Sequence, residues 1–268
     1  MFPGSIVFHF GTHAVSLYNF VHFLAFCVSI LLILIFAKWE KLPLKETATY
    51  LLFGVFVAVA GSKAYGLIEN AVRGRPLFSG AAESLLNLPS GSSFYGALLA
   101  GIFFSLWYLK HFRLPLWKIA DIAAAGTVFG FAVARLGCFL SGCCYGRPSS
   151  LPWAVAFPEL SGPVHPTQLY ESALNFAIFL FLLRLLKRKR FDGQVLAADA
   201  ILNSAARFVI EYFRGDPGRG YFFQGASPLS SLSVPQALAL LGVAAGVTVY
   251  WIRKSKTASS LKAGAFGQ

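Results

Sequence analysis

Charged side chains are scarce in this 268-residue sequence. They make up 13% of the residues, whereas soluble globular domains usually carry about one quarter. Hydrophobic residues make up 56%, and apolar stretches of roughly 18 or more residues recur, the length that crosses the hydrocarbon core of a bilayer. The short alternating segments of a β-barrel are missing. The composition argues against a soluble domain and predicts an all-α, polytopic integral membrane protein.

Cysteines are also few, and three of the four fall between positions 138 and 144. They are too few and too clustered for a secreted disulfide framework. Cys27 is predicted to be a small packing residue within a span. For Cys138, Cys143 and Cys144 the sequence leaves several alternatives open. They could be packing residues, a disulfide at an oxidising outer face, a nucleophile activated by a neighbouring arginine, or zinc ligands with His165. The spacing C-x4-C-C is not a usual zinc pattern.

Acidic residues number 11 against 23 lysines and arginines, which gives a net charge of +12. The basic residues form short clusters between apolar stretches, as the positive-inside rule and anionic lipid headgroups favour. This distribution argues against a nucleic-acid partner. Most of the basic residues outside the spans are cytoplasmic if the N-terminus lies outside, so we predict an N-out, C-in topology. No basic segment precedes the first apolar stretch, which we therefore expect to be a span rather than a cleaved signal peptide.

Seven spans are predicted, and together they form one transmembrane helical domain over residues 1–256. Their approximate bounds are 16–37, 47–68, 94–109, 119–140, 167–186, 194–213 and 232–252. The predicted extracytoplasmic loops are 70–93 and 141–166. The tail, 257–268, is small and polar and is predicted to be disordered in the cytoplasm.

Three cations fall well inside predicted spans, away from their cytoplasmic ends: Lys63, Arg135 and Arg207. A cation at membrane depth is costly unless it is paired, so each indicates a functional site. Arg207 and Glu211 are spaced i, i+4 and can pair on one helix face. Glu171 and Glu211 are possible partners of Arg135. These pairs could lock helices together, or they could hold guanidinium groups for a phosphate, which arginine binds in a bidentate manner.

Other polar motifs fall close to the predicted outer face. The run from Arg135 to Pro148 contains three glycines, which let backbone or ligand come close. His165 precedes a proline-led helix and could be catalytic or a cap-region residue. Tyr18 and Tyr95 could belong to the site or to an interfacial aromatic belt. Convergence of these motifs at one depth predicts an anion-binding pocket.

Seven segments carry a family resemblance, in order along nearly the whole chain. They are Tyr18, Phe94–Gly96, Leu116–Asp121, Arg135–Arg147, His165–Glu171, Phe191–Gln194 and Arg207–Arg214. With these segments the sequence resembles the prolipoprotein diacylglyceryl transferase family. The resemblance implies transfer of a diacylglyceryl group from phosphatidylglycerol to the lipobox cysteine of a preprolipoprotein, with release of glycerol 1-phosphate. It implies a bacterial inner-membrane enzyme without metal or organic cofactor, whose partners are phosphatidylglycerol, the lipobox signal peptide and membrane lipids.

The resemblance and the residue chemistry together give the expected site. The expected catalytic residues are Arg135, Arg207, Glu211, Tyr18, Tyr95 and His165. The expected substrate-binding residues are Arg135, Cys138, Gly142, Cys143, Gly146, Arg147, Gln168, Tyr170, Glu171 and Arg214. Both arginines would stabilise the leaving phosphate, with Glu211 orienting Arg207. The tyrosines would hold the glycerol headgroup or relay the thiol proton, and Gly142 and Gly146 would let lipid approach the backbone.

The sequence departs from the family pattern at four positions. Cys138 stands where the family has Asn, Cys143 where it has Glu, Tyr95 where it has His, and Lys63 where Arg is common. A tyrosine with an ordinary pKa near 10 is a poor base at neutral pH. Two alternatives therefore stay open: a lipid-modifying homologue with another acceptor or donor, and a non-catalytic protein that binds or transports anionic lipid.

Overall fold

The structure, a computed structural model, describes residues 7–10, 13–72, 94–158, 160–215, 220–223 and 231–265. Seven helices lie within these ranges: α1 Leu17–Trp39, α2 Leu44–Val72, α3 Phe94–His111, α4 Leu116–Leu140, α5 Thr167–Arg188, α6 Gln194–Glu211 and α7 Val234–Ala265. Three short antiparallel pairs join β1 Val7–Phe10 with β2 His13–Ser16, β3 Val155–Ala156 with β4 Pro163–Val164, and β5 Tyr221–Phe223 with β6 Leu232–Ser233. The predicted helical class is confirmed.

Each of the seven predicted spans coincides with a helix. Among the described helices, α1, α2, α4, α5 and α7 are long and apolar enough to cross a bilayer. Helix α6 has only 18 residues, and three of them are Asp199, Arg207 and Glu211. Charged side chains within a membrane-type helix are costly unless they are paired, so they indicate polar chemistry on α6.

Two helices extend into segments that were predicted to be a loop or a disordered tail. Helix α7 continues through Ala265, although residues 257–268 were expected to be disordered. Alanine, leucine and lysine in this stretch are good helix formers, so the helix does not stop where its apolar pattern stops. Helix α2 reaches Val72, inside the predicted loop 70–93. The rest of that loop lies outside the described residues.

The chain divides into two compact units, Met1–Phe36 with Trp117–Gln268, and Ala37–Leu116. In the described part of the second unit, α2 and α3 form an antiparallel pair of helices. Their backbones come close at Gly61 and Gly96, where an added Cβ on Gly61 would lie 2.7 Å from the Gly96 carbonyl oxygen. Small residues allow this kind of close helix packing in membranes. The Tyr50 hydroxyl and Ser105 Oγ form a hydrogen bond of 2.8 Å across the same pair.

The first unit is built around α4, whose small residues let α1 approach. An added Cβ on Gly126 would lie 2.5 Å from Ile33 Cγ1, and one on Gly130 would clash with Ser29 Oγ. The surface of this unit also exposes large apolar side chains, including Phe23, which is 65% exposed. In water such surfaces would be a liability, whereas they suit contact with lipid.

Asp121 is fully buried near the start of α4. Its carboxylate connects α4 with the segment between α5 and α6 through hydrogen bonds. One carboxylate oxygen accepts hydrogen bonds from Lys189 Nζ at 3.0 Å and from the Gly193 amide at 2.9 Å. The other accepts from the Leu196 amide at 2.9 Å. Gly193 precedes α6 with φ of +95°, a conformation that favours glycine. These contacts tie the 116–121 motif to the 191–194 motif and fix the start of α6.

Asp121→Ala should lower the free energy of unfolding by about 3 kcal/mol, because it leaves a buried lysine and two amides without their acceptor. Thermal unfolding of the protein in detergent measures the loss. Asp192→Asn is the matched control, since Asp192 contacts the same lysine at 3.1 Å but is 34% exposed. That control should cost less than about 1 kcal/mol. Equal losses in the two variants would contradict the anchoring role of Asp121.

Candidate functional site

A cavity of about 260 Å³ lies between helices α4, α5 and α6. It is lined by Val128, Phe131, Arg135, Glu171, Leu174, Asn175, Asp199, Asn203, Ala206, Arg207 and Ile210. Spacings of three and four residues place each helix's contribution on one face. The volume lies just below the roughly 300–1,000 Å³ that is usual for ligand pockets. The cavity has the size for a headgroup rather than for a whole lipid.

Glu171 is the centre of the polar end of this cavity. Its Oε2 lies 2.5 Å from Arg135 Nε. Its Oε1 lies 3.3 Å from an Arg207 nitrogen and 3.4 Å from an Arg214 nitrogen. The carboxylate is 8% exposed and Arg214 is 7% exposed, so three guanidinium groups share one buried anion. A buried charge needs such pairing to be tolerated.

Arg207 also pairs with Glu211, as the i, i+4 spacing predicts, at 2.9 Å. Three arginines therefore contact Glu171 and Glu211, and Asp199 is a third carboxylate in the lining of the same cavity. The Arg135 and Arg207 side chains are 28% and 33% exposed and line the cavity. Both predicted arginines thus face one cavity, where they can bind an anion. Phosphate matches the planar donors of guanidinium groups.

Three polar lining residues were not predicted from the sequence: Asn175, Asp199 and Asn203. Asn175 Nδ2 donates to the Glu171 carbonyl oxygen at 2.7 Å. The side chain of Asn203 donates to Asp199 one turn away. Positions 199, 203 and 207 repeat every four residues on α6, so this spacing was the signal that could have revealed them.

The loop after α4 packs on the ends of α5 and α6. The Gly146 amide donates to the His165 carbonyl oxygen at 2.9 Å, and the Arg147 amide to the Phe213 carbonyl oxygen at 2.8 Å. Arg147 Nε donates to the Arg214 carbonyl oxygen at 3.0 Å. An added Cβ on Gly146 would lie 2.5 Å from the His165 Cβ. The space at this glycine is therefore filled by the chain itself rather than by lipid.

His165 lies in the same loop, 141–166, and is not among the residues that line the cavity. Its Nδ1 is 3.3 Å from the Tyr170 hydroxyl, which also accepts a hydrogen bond from Trp153 Nε1 at 2.7 Å. The His165 ring also packs edge-on against Phe213. The geometry gives His165 and Tyr170 contacts that hold the loop.

Two side chains at the start of α5 hold the part of the loop that contains the cysteines. Gln168 is buried and donates to the Cys143 carbonyl oxygen at 2.6 Å, while Thr167 Oγ1 donates to the Cys144 carbonyl oxygen at 2.9 Å. Gly142 has φ of +70°, and an added Cβ there would lie 3.2 Å from Phe157. Contacts within the protein therefore account for this glycine too.

The three clustered cysteines come together. Their Sγ atoms all lie within 4.8 Å of one another, and all four cysteines of the chain are free thiols. Hydrogen bonds from the Cys138 and Cys143 thiols lower the pKa of Cys144 below that of an ordinary thiol, and the charges of Arg214 and Arg135 act in the same direction. The cluster is therefore electrostatically connected to the arginines.

Tyr18 lies beside this cluster, in α1. Its ring contacts the His22 ring at a centroid distance of 4.0 Å, and its hydroxyl interacts electrostatically with Cys138 and Arg135. Helix α3 begins at Phe94, but the side chain of Tyr95 lies outside the described part of the chain. Lys63 belongs to α2, in the second compact unit.

The fold is that of a helical membrane protein in which two arginines line a cavity between three helices. Comparison with known proteins gives the family. A family model described as prolipoprotein diacylglyceryl transferase matches residues 5–252. The chain belongs to the prolipoprotein diacylglyceryl transferase family.

Curated relatives carry the name phosphatidylglycerol–prolipoprotein diacylglyceryl transferase. The relative from Campylobacter curvus is 35% identical over 167 residues, which cover 61% of this chain and 58% of the relative. The one from Clostridium tetani is 32% identical over 173 residues, 63% of this chain and 66% of the relative. The one from Finegoldia magna is 31% identical over 209 residues, 77% and 80%. The matches to the first two span less than two thirds of those relatives.

Proposed function

We propose that this protein transfers the diacylglyceryl group of phosphatidylglycerol to the lipobox cysteine of preprolipoproteins. The observation that carries the proposal is the Glu171-centred arginine cluster at the cavity, in a chain of this family. Its guanidinium groups offer the planar donors that suit the phosphate of the donor lipid. The names of the relatives support the same donor and acceptor class.

In the proposed reaction the thiolate of the acceptor attacks the carbon of the diacylglyceryl group that bears the phosphate. A sulfur–carbon bond forms, the carbon–oxygen bond to phosphate breaks, and glycerol 1-phosphate leaves with the electron pair. Arg135 and Arg207 stabilise the charge that develops on the leaving phosphate, a contribution that is usually large. Glu171 and Glu211 hold these guanidinium groups in place. Tyr18 and Tyr95 hold the glycerol headgroup or relay the thiol proton.

The membrane arrangement is part of the proposal. The seven helices cross the inner membrane with the N-terminus outside and the C-terminus in the cytoplasm, and the arginine cluster lies near the extracytoplasmic face. Lipid-facing apolar surfaces accommodate the acyl chains, because the cavity itself has the size of a headgroup. The loop 141–166 then covers the site from the outer aqueous side.

Purified protein incubated with phosphatidylglycerol and a lipobox peptide should release glycerol phosphate and yield one diacylglyceryl thioether per peptide. Mass spectrometry of the peptide and an enzymatic assay of glycerol phosphate measure the two products. A peptide with its lipobox cysteine replaced by serine is the control. Tight binding of phosphatidylglycerol without either product, with the Campylobacter curvus relative active alongside, would indicate the non-catalytic lipid-binding alternative.

A further inference from the structure

The three clustered cysteines take no part in the reaction steps proposed above. Cys138, Cys143 and Cys144 bring three sulfur atoms within 4.8 Å of one another. A tetrahedral zinc ion with zinc–sulfur bonds of about 2.3 Å holds its sulfur ligands about 3.8 Å apart. Small side-chain rotations would close the difference. We propose that these three thiolates bind a thiophilic cation of the zinc type, with His22 as the fourth ligand.

His22 is oriented as a metal-ligating histidine usually is. Its Nδ1 lies 2.9 Å from the Tyr18 carbonyl oxygen. A carbonyl oxygen only accepts, so Nδ1 carries the hydrogen and Nε2 keeps its lone pair. That Nε2 lies 3.9 Å from Cys138 Sγ. Histidine ligands commonly donate their other ring N–H to a backbone carbonyl, which fixes both tautomer and orientation.

The backbone around the cluster brings the ligands together from two helices and a loop. Gly137 allows α1 to approach, because an added Cβ there would lie 3.0 Å from His22 Nδ1. Cys144 has φ of +63°, which turns the chain so that adjacent cysteines in a C-x4-C-C run reach one point. The sequence spacing alone argued against zinc because it does not show this turn or the contribution of α1.

The surroundings also balance the charge of such a site. Three thiolates, a neutral imidazole and a divalent cation carry one net negative charge. Arg135 and Arg214, which also pair with Glu171, both interact favourably with a negative charge on Cys144. The bound cation would tie α1, which carries Tyr18, to the loop that follows α4. This inference does not depend on the proposed transferase activity.

Zinc binding to the tag-free, fully reduced protein in detergent tests the proposal. Protein freed of metal with a chelator should bind one Zn²⁺ per chain in competition with a chromophoric chelator. Co²⁺ should give the visible bands of tetrahedral coordination and thiolate-to-cobalt charge transfer. Replacement of Cys138, Cys143 or Cys144 by serine, or His22→Gln, should weaken zinc binding by at least the roughly 10- to 100-fold that loss of an outer-shell partner already costs.

Cys27→Ser is the matched control, because Cys27 is exposed and lies on the same helix as His22. It should leave zinc affinity unchanged. Circular dichroism checks that each variant is folded, and the three separate serine variants guard against one that is not. No zinc binding by the reduced protein, or equal affinity in Cys138→Ser, would overturn the site. Equal affinity in His22→Gln would overturn the fourth ligand. The titration contains no lipid substrate, so failure of the transferase assay would not affect it.

Discussion

Arg207→Gln should lower the rate of glycerol phosphate release by roughly 100- to 1,000-fold, the effect of removing one main donor that stabilises a developing negative charge. Arg207 is the cavity arginine with two carboxylate partners, Glu171 at 3.3 Å and Glu211 at 2.9 Å. They hold the guanidinium group in place before the lipid arrives. Glutamine keeps much of the length and removes the charge, so the loss should fall on kcat as well as on KM.

The lysine variant separates charge from geometry. Arg207→Lys keeps the positive charge but cannot contact both carboxylates with a rigid planar group, so its rate should lie between those of the wild type and the glutamine variant. Arg184→Gln is the control, since Arg184 is an exposed arginine on α5 that lines a separate cavity with Lys187 and Arg188. Initial rates at several phosphatidylglycerol concentrations measure all three variants. A similar loss for Arg184→Gln and Arg207→Gln would show that the effect is not local.

Local spacing explains how much of the site the sequence could predict. The Arg207–Glu211 pair follows from an i, i+4 interval on one helix, and Glu171 was one of two candidate partners of Arg135. The structure shows both of these pairs. That Arg214 shares Glu171 could not be predicted, because it depends on how the end of α6 packs against the start of α5. Periodicity gives helices and their faces, but not which faces meet.

The same limit applies to the motifs that support the resemblance. Residues 116–121 and 191–194 belong to the segments that carry the family resemblance, as do the segments that contain the arginines. The structure shows that Asp121 and Gly193 form a buried anchor, which positions α6 and so the arginine that α6 carries. A motif match does not distinguish an anchor from a reacting group, because both demand a particular residue at a particular place. His22 was missed for the opposite reason: a single histidine in an apolar helix has no pattern until Cys138 is seen beside it.

Glu171→Gln should lower the free energy of unfolding by about 3 kcal/mol and also abolish most of the activity. The change leaves three guanidinium groups around a neutral amide, with Glu211 as the remaining carboxylate of the pair. Removing one partner of a buried ion pair costs about 3–5 kcal/mol. We expect the lower end of this range, because Arg135 and Arg207 are each about 30% exposed and solvent screens their repulsion. Thermal unfolding in detergent measures the stability.

A double-mutant cycle with Arg214 shows whether this loss comes from the cluster. Arg214 is buried and bound to Glu171, so Arg214→Gln alone should also destabilise the protein. In the Glu171→Gln background the same substitution should cost less or even stabilise, since it then removes an unneutralised buried charge. Glu171→Asp keeps the carboxylate one methylene further back and should retain more stability than Glu171→Gln. Strictly additive losses would mean that Glu171 and Arg214 act independently. The three arginines would then not share one anion, and the positive charge available for a phosphate would have to be explained by Arg135 and Arg207 alone.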